Sequence, residues 1–199
     1  MQTFNFKENI ILENDKVLLK PLEKKDFKHF IYFSENEPDI WKFSLLQLNN
    51  KENLKKYIAF AIDGRKQKKS YAFAVFDKTK NKYAGSTRFY DYNEYHKTIS
   101  VGYTWYGKEF RGTTLNKNCK YLMLQFIFEQ IGVERVEFRA DLKNAVSINA
   151  IKSLGCVEEG VLRNNFRISS GCRDSIVFSI LKNEWFDKTK NELLKKIYS

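Results

Sequence analysis

The stretch Gly102-Tyr-Thr-Trp-Tyr-Gly-Lys-Glu-Phe-Arg-Gly-Thr-Thr-Leu-Asn116 runs from a β-branched and aromatic segment, through a short Arg-Gly-Thr-Thr turn, into a long apolar-periodic segment. Read as strand, tight turn and helix start, it predicts a phosphate-holding corner. The first amides of a helix lack intrahelical acceptors and carry the positive end of the macrodipole, so a diphosphate can gather several N–H bonds there. The corner comprises Arg111, Gly112, Thr113, Thr114, Leu115 and Asn116, and a nucleotide-like cofactor is the implied ligand.

Downstream of the corner, Leu115, Leu122, Met123, Phe126 and Ile127 recur at helical spacing, so the helix extends to Ile131 and Gly132 supplies its left-handed end. Upstream, Thr98 to Tyr106 reads as the strand feeding the corner. Lys82 to Tyr90 and Tyr71 to Phe76 read as two antiparallel strands before it. Earlier still come a first strand, Lys16 to Lys20, and two helices, Glu23 to Asn36 and Lys51 to Lys69, joined by an irregular segment that can wall a cleft. After the long helix follow a strand from Val133 to Ala140, a helix from Asn144 to Leu154, and two strands, Val157 to Ile168 and Arg173 to Leu181, flanking a Ser169-Ser-Gly-Cys turn. A strand–helix–strand unit placed after several antiparallel strands implies a mixed α/β sheet with helices on both faces and a right-handed crossover. The polar tail from Lys188 to Ser199 reads as a frayed helix.

Composition limits the function classes. The chain has 199 residues, 43% hydrophobic and 16% aromatic, with two prolines, which suits one folded domain and excludes a disordered chain. No run of about eighteen apolar residues exists to span a bilayer, and Lys7, Glu8 and Glu13 interrupt the N-terminus, so neither a membrane span nor a signal peptide is expected. Three cysteines, Cys119, Cys156 and Cys172, are odd in number and lack metal-ligand spacing, which fits reduced thiols in the cytoplasm. His29 and His96 have no histidine partner at ligand spacing, so no metal is expected. The formal charge of +11 reads as a solvated lysine-rich surface or as attraction to an anionic partner, CoA phosphates and RNA among them.

In order along the chain stand Tyr83-Ala-Gly-Ser-Thr-Arg-Phe89, Val101-Gly-Tyr-Thr-Trp105, Arg111-Gly-Thr-Thr-Leu-Asn116, Asn144-Ala-Val-Ser147 through Leu154-Gly155, Glu159-Gly-Val-Leu-Arg163, and Arg173-Asp174 with Phe178-Ser-Ile180. With these motifs the chain resembles the GNAT superfamily of N-acetyltransferases, and within it the ribosomal-protein (RimJ/RimL-like) branch. The resemblance spans about Lys16 to Trp185. It implies the GNAT acyl-CoA N-acyltransferase fold: a central, mostly antiparallel sheet of six to seven strands with a splayed parallel pair and helices on both faces. Residues 1–15 are then an N-terminal extension, 16–187 a single N-acetyltransferase domain, and 188–199 a polar tail.

The resemblance further implies acetyl-CoA as cosubstrate and an amine acceptor, either a protein N-terminal α-amine or a small molecule. A ribosome or ribosomal protein becomes a candidate partner, with no membrane and no DNA partner, and a monomer or homodimer as the assembly. The strand before the loop would splay from its parallel neighbour and take the pantetheine arm like an added strand, bringing Tyr103, Thr104 and Trp105 toward the thioester; Gly102 could house a bulge there. By the same resemblance Asn144 contacts the pantetheine arm and Ser147 is a candidate acid for the leaving thiolate. Both also suit helix capping. The loop departs from the family pattern at Glu109 and Thr114, so the diphosphate would rest on backbone amides.

An ammonium must lose its proton before it can attack a thioester, yet Ser100 and Phe166 occupy positions where relatives carry carboxylates. Tyr90, Glu94 and His96 are the remaining acid/base candidates, with Asp91 beside them. Arg163, Arg167, Arg173 and Asp174 fall in the last hairpin, where arginines would suit an acidic acceptor or an RNA phosphate. Two competing readings remain: a non-catalytic acyl-CoA sensor, motivated by the absent carboxylates, and an RNA-binding module, motivated by the lysine excess.

Overall fold

A computed structural model describes residues 3–168 and 171–198. Its strands are β1 (Leu12–Glu13), β2 (Val17–Pro21), β3 (Ser70–Asp77), β4 (Lys82–Asn93), β5 (Thr98–Tyr106), β6 (Arg135–Asp141), β7 (Val157–Ile168) and β8 (Gly171–Leu181). They form one sheet in the order β1-β2-β3-β4-β5-β6-β8-β7, in which only β5 and β6 pair in parallel. The sheet has eight strands rather than six to seven because Leu12 and Glu13 pair with Leu19 and Leu18 to add a two-residue edge. Residues Ser169 and Ser170 of the expected last turn lie outside the described residues.

Helices α1 (Phe27–Asn36) and α2 (Lys51–Lys66) cover one face. Asn50 caps α2 by accepting from the Asn53 amide, and the stripe Leu54, Tyr57, Ile58 and Ala61 is buried at the expected helical spacing. Helix α3 (Leu115–Gln125) packs on the other face and widens into a π-helical segment at Phe126–Ile131; Gly132, at φ 78°, ends it in the left-handed conformation. Helix α4 (Ala145–Ser153) follows β6, and the chain closes with a single turn, α5 (Lys182–Glu184), and a last helix, α6 (Lys190–Tyr198).

Both ends are docked on the core. Phe4 is buried edge-on against Tyr71, Phe89 and Phe126, and the Tyr71 hydroxyl bonds the N-terminal segment at Glu8 and Ile10. The tail is a packed helix rather than a frayed one, because Leu193 and Ile197 sit one turn apart and bury together. Among the described residues, no helix is long and apolar enough to cross a membrane.

Candidate functional site

The parallel pair is short. Thr98, Ile99 and Ser100 of β5 pair with Arg135, Val136 and Glu137 of β6, and the pairing stops there. Beyond Ser100, β5 stays with β4, while β6 runs on to Asp141 paired only with β8. The two strands therefore splay, and the edge of β5 from Val101 to Tyr106 that would face β6 has no strand partner among the described residues. An open edge of this kind accepts an extended ligand through backbone hydrogen bonds.

A bulge lies in the splayed stretch. Arg88 pairs with Gly102 and Ser86 with Trp105, so Thr87 alone faces both Tyr103 and Thr104. The residue in the left-handed region is Tyr103, at φ 48°, one position beyond the expected Gly102. Gly102 is favoured for another reason: a Cβ there would lie 3.0 Å from Cε1 of Tyr90, so the ring would have to shift to admit one. The bulge sends Tyr103 to the α1/α2 face, where its ring stands edge-on to Tyr90, and Thr104 to the α3 face, where its Oγ1 is 2.8 Å from that of Thr87. Trp105 does not open toward the cleft; it is buried among Phe30, Phe33 and Trp41 and donates from Nε1 to the Tyr57 hydroxyl.

The splay leads into the Arg111–Asn116 corner. Gly112 has φ 72° and open space where a Cβ would be, so backbone conformation rather than crowding selects glycine. Thr113 Oγ1 donates to the Phe110 carbonyl and accepts from the Leu115 amide, while Arg111 Nε donates back to the Tyr106 carbonyl. The first helical bond is Asn118 N–H to the Thr114 carbonyl, leaving the amides of Gly112, Thr113, Thr114, Asn116 and Lys117 without a partner among the described residues. Five free amides beside a helix start fit a diphosphate. Asn116 accepts from the Tyr106 hydroxyl through its side chain. The atypical Glu109 is held by Lys80 and Lys82, 3.6 and 3.4 Å away, which offsets its charge near the corner.

The remaining candidates separate. Asn144 caps α4 through Oδ1, which accepts from the Ser147 amide, so these two residues share one helix start. Tyr90 lies beside Gly102, and burial pushes its hydroxyl up to about 12, which keeps the phenol protonated. Glu94 and His96 occupy the β4–β5 turn at the opposite end of β5: Glu94 accepts from Thr3, and the His96 amide donates to the Asn93 side chain. Six residues of strand, about 20 Å, separate that end from Thr104. In the last hairpin, Arg173 reaches the Phe43 carbonyl and lies 3.5 Å from Asp141, tying β8 to the segment between α1 and α2. Among the described residues no group of three or more His, Cys, Asp or Glu is placed to hold a metal ion.

Three charged residues near the splay escaped the sequence reading. Glu137, in register with Ser100, is held by Arg135 and Arg139 on the same strand. Lys120 is buried under the bulge, with Nζ 2.7 Å from Thr87 Oγ1 and 2.9 Å from Thr104 Oγ1, and burial lowers it to about 8. Arg88 is 0% exposed. Its guanidinium stacks on Tyr57, Phe60 and Tyr103 at 5.2, 5.5 and 4.3 Å, and none of its three nitrogens has a hydrogen-bond partner among the described residues. Cation–π contacts return about 0.5–2 kcal/mol each, whereas an unpaired buried ion costs several kcal/mol. The signal for Arg88 in the sequence was a lone charge inside the otherwise uncharged strand Tyr83 to Tyr90.

The fold is shared with known proteins. Residues 16–157 match the acetyltransferase (GNAT) domain family. The Bacillus subtilis (strain 168) protein named "Putative ribosomal N-acetyltransferase YdaF" is 21% identical over 188 residues, covering 86% of this chain and 94% of its own. A crystal structure from T. thermophilus, described as a "putative acetyltransferase", superposes with a TM-score of 0.86 at 30% identity, covering 100% of both chains. A GCN5-related N-acetyltransferase from Brucella melitensis superposes at 0.88 with 22% identity, over 96% of this chain and 86% of that one.

Proposed function

The chain belongs to the GNAT acetyltransferase family, and from that premise we propose that it moves an acetyl group from acetyl-CoA to an amine, with the acetyl thioester held in the splay between β5 and β6. The observation that carries this reading is the end of β5–β6 pairing at Ser100 and Glu137, with an open strand edge running from there toward a corner of free amides. In this reading the amides of Gly112, Thr113, Thr114, Asn116 and Lys117, together with the Arg111 side chain, receive the diphosphate, while Leu115, whose amide is engaged by Thr113 and whose side chain is buried, anchors the corner instead. The edge of β5 from Val101 to Tyr106 pairs with the pantetheine arm, and Asn144 adds a contact from α4. A β5 backbone N–H near the bulge meets the thioester oxygen, where negative charge develops during attack.

Tyr90 serves as the proton donor to the departing thiolate; it is beside Gly102 and keeps its proton. Ser147 is the alternative donor. Glu94 and His96 take no part because of their distance along β5. The acceptor enters over the α1/α2 face, between the Pro38 to Leu48 segment and the β7–β8 hairpin. A protein N-terminal α-amine is the preferred acceptor class and a small-molecule amine the second; the YdaF relative's name, a ribosomal N-acetyltransferase, supports a ribosomal acceptor. The protein works in the cytoplasm, in keeping with its three free cysteines.

The test is thiol release from acetyl-CoA in the presence of amine panels that include peptides with ribosomal-protein N-termini. CoA release with at least one class is the expected result. No release across the panels refutes the reading, and tight acetyl-CoA binding without release would favour the sensor reading instead.

A further inference from the structure

Arg88 carries a charge that the fold itself does not answer. Its side chain is fully buried, its three nitrogens have no acceptor among the described residues, and none of the ion pairs formed by those residues includes it. The rings of Tyr57, Phe60 and Tyr103 stack on the guanidinium but offer it no oxygen in the guanidinium plane. Guanidinium N–H groups are strong, fixed donors, and leaving them dry is costly unless a ligand completes the site.

Its position points to the acceptor. Arg88 is paired in register with Gly102, immediately before the bulge at Tyr103 and Thr104. It shares a face of β4 with Tyr90, the proposed proton donor. Two of the three rings over it, those of Phe60 and Tyr103, are themselves partly open to solvent, so movement of either ring is the route by which a ligand would reach the guanidinium. Thr87, the preceding residue on β4, faces the other side, toward Thr104 and Lys120. Arg88 therefore serves the acceptor side of the strand.

The geometry points to Arg88 as the recognition residue for a carboxylate carried by the acceptor amine, with Tyr103 and Phe60 as the aromatic lid over the pair. A planar fork of two N–H groups matches a carboxylate edge to edge, and the aromatic walls dry the pair and strengthen it. This inference rests on the acetyl-transfer reading for the identity of the ligand as acceptor. The carboxylate has two sources: the α-carboxylate of a free amino acid, or an acidic side chain near a peptide N-terminus.

The test is calorimetric titration of matched ligand pairs into the full chain with CoA present, for the parent protein, Arg88→Gln and Arg88→Lys. One arm compares free amino acids with their carboxamides. The other compares peptides bearing glutamate at the second position, amidated at the C-terminus, with their glutamine and phosphoserine counterparts. The acid member should bind about tenfold more tightly than its amide, or better, in one arm. That preference should vanish in Arg88→Gln and survive in part in Arg88→Lys. Equal binding of acid and amide in both arms, a preference that persists in Arg88→Gln, or tighter binding of the phosphoserine peptide than of the glutamate peptide overturns the inference. Calorimetry reads binding without turnover, so the two claims fail separately. Carboxylate preference in a protein that releases no CoA upholds the Arg88 site and sinks acetyl transfer, and turnover without preference does the reverse. Should Arg88→Gln fail to fold, Arg88→Met, which keeps the packing against the three rings without the charge, carries the same comparison.

Discussion

Replacing Lys120 by methionine should stabilise the protein at neutral pH, and the gain should disappear as the solution becomes alkaline. In the fold Lys120 is 4% exposed, faces no carboxylate among its hydrogen-bond partners, and is lowered by burial from 10.5 to about 8. That depression corresponds to a cost of about 3 kcal/mol whenever the amine must be charged in the fold. Methionine forfeits the Nζ bonds to Thr87 and Thr104, worth about 1 kcal/mol each. The two hydroxyls keep the bond they already share at 2.8 Å, so it does not enter the balance. The net expectation is a gain of about 1 kcal/mol at pH 7.

Between about pH 8 and 10.5 the unfolded chain holds a proton on Lys120 that the folded chain has released. Stability of the parent protein from this group therefore rises with pH across that window. Below pH 8 the penalty is constant, and above 10.5 it is gone. Urea titrations of both proteins at about pH 7 and pH 10 measure the gap, and comparing the two proteins cancels every other titrating group. A gap independent of pH, or a variant less stable than the parent at neutral pH, refutes the reasoning.

Other substitutions probe the remaining parts of the site. Gly112→Ala forces a side chain into φ 72° with no clash; it should lose about 1 kcal/mol of stability, and weaken CoA binding in a fluorescence titration, with unchanged affinity counting against the corner. Gly102→Ala drives a methyl to 3.0 Å from the Tyr90 ring and should cost about 1–3 kcal/mol in denaturant unfolding, whereas a neutral result would mean the ring moves freely. Tyr90→Phe should lower kcat about 100-fold at unchanged unfolding midpoint; an unaltered kcat would transfer the donor role to Ser147 or water. Asn144→Ala removes the α4 cap and should destabilise the fold by about 1 kcal/mol, read by thermal melting.

Elements governed by local pattern were legible before the structure. Thr98–Tyr106 and Val157–Ile168 coincide with their expected bounds, because alternation and turn residues on both sides act within a few positions. Features decided across strands were not. The bulge depends on Thr87 facing both Tyr103 and Thr104, a register that neither strand encodes alone, and so a left-handed tyrosine stands where glycine was the natural expectation. The buried charges were hidden for a related reason. Arginine and lysine usually lie on the surface, so Lys120 passed as part of the general basic excess and Arg88 as one letter of the Tyr83–Phe89 motif, until packing placed them on opposite faces of the same strand pair. Glu137 is tied to the site only through its pairing with Ser100, a neighbour across strands that nothing in the Arg135–Asp141 segment announces. Phe4 and Ile197 show the same limit at the ends, where the hydrophobic spacing is too brief to announce docking against α3 and its neighbours.

Hydrogen exchange of the backbone amides with and without CoA addresses the splay directly. Binding should slow exchange in two blocks, from Val101 to Tyr106 on β5 and from Gly112 to Lys117 at the start of α3, with the paired residues Thr98 to Ser100 unchanged. Protection confined to other segments, or CoA binding that leaves both blocks exchanging as before, would contradict the assignment of the β5–β6 opening as the cofactor site.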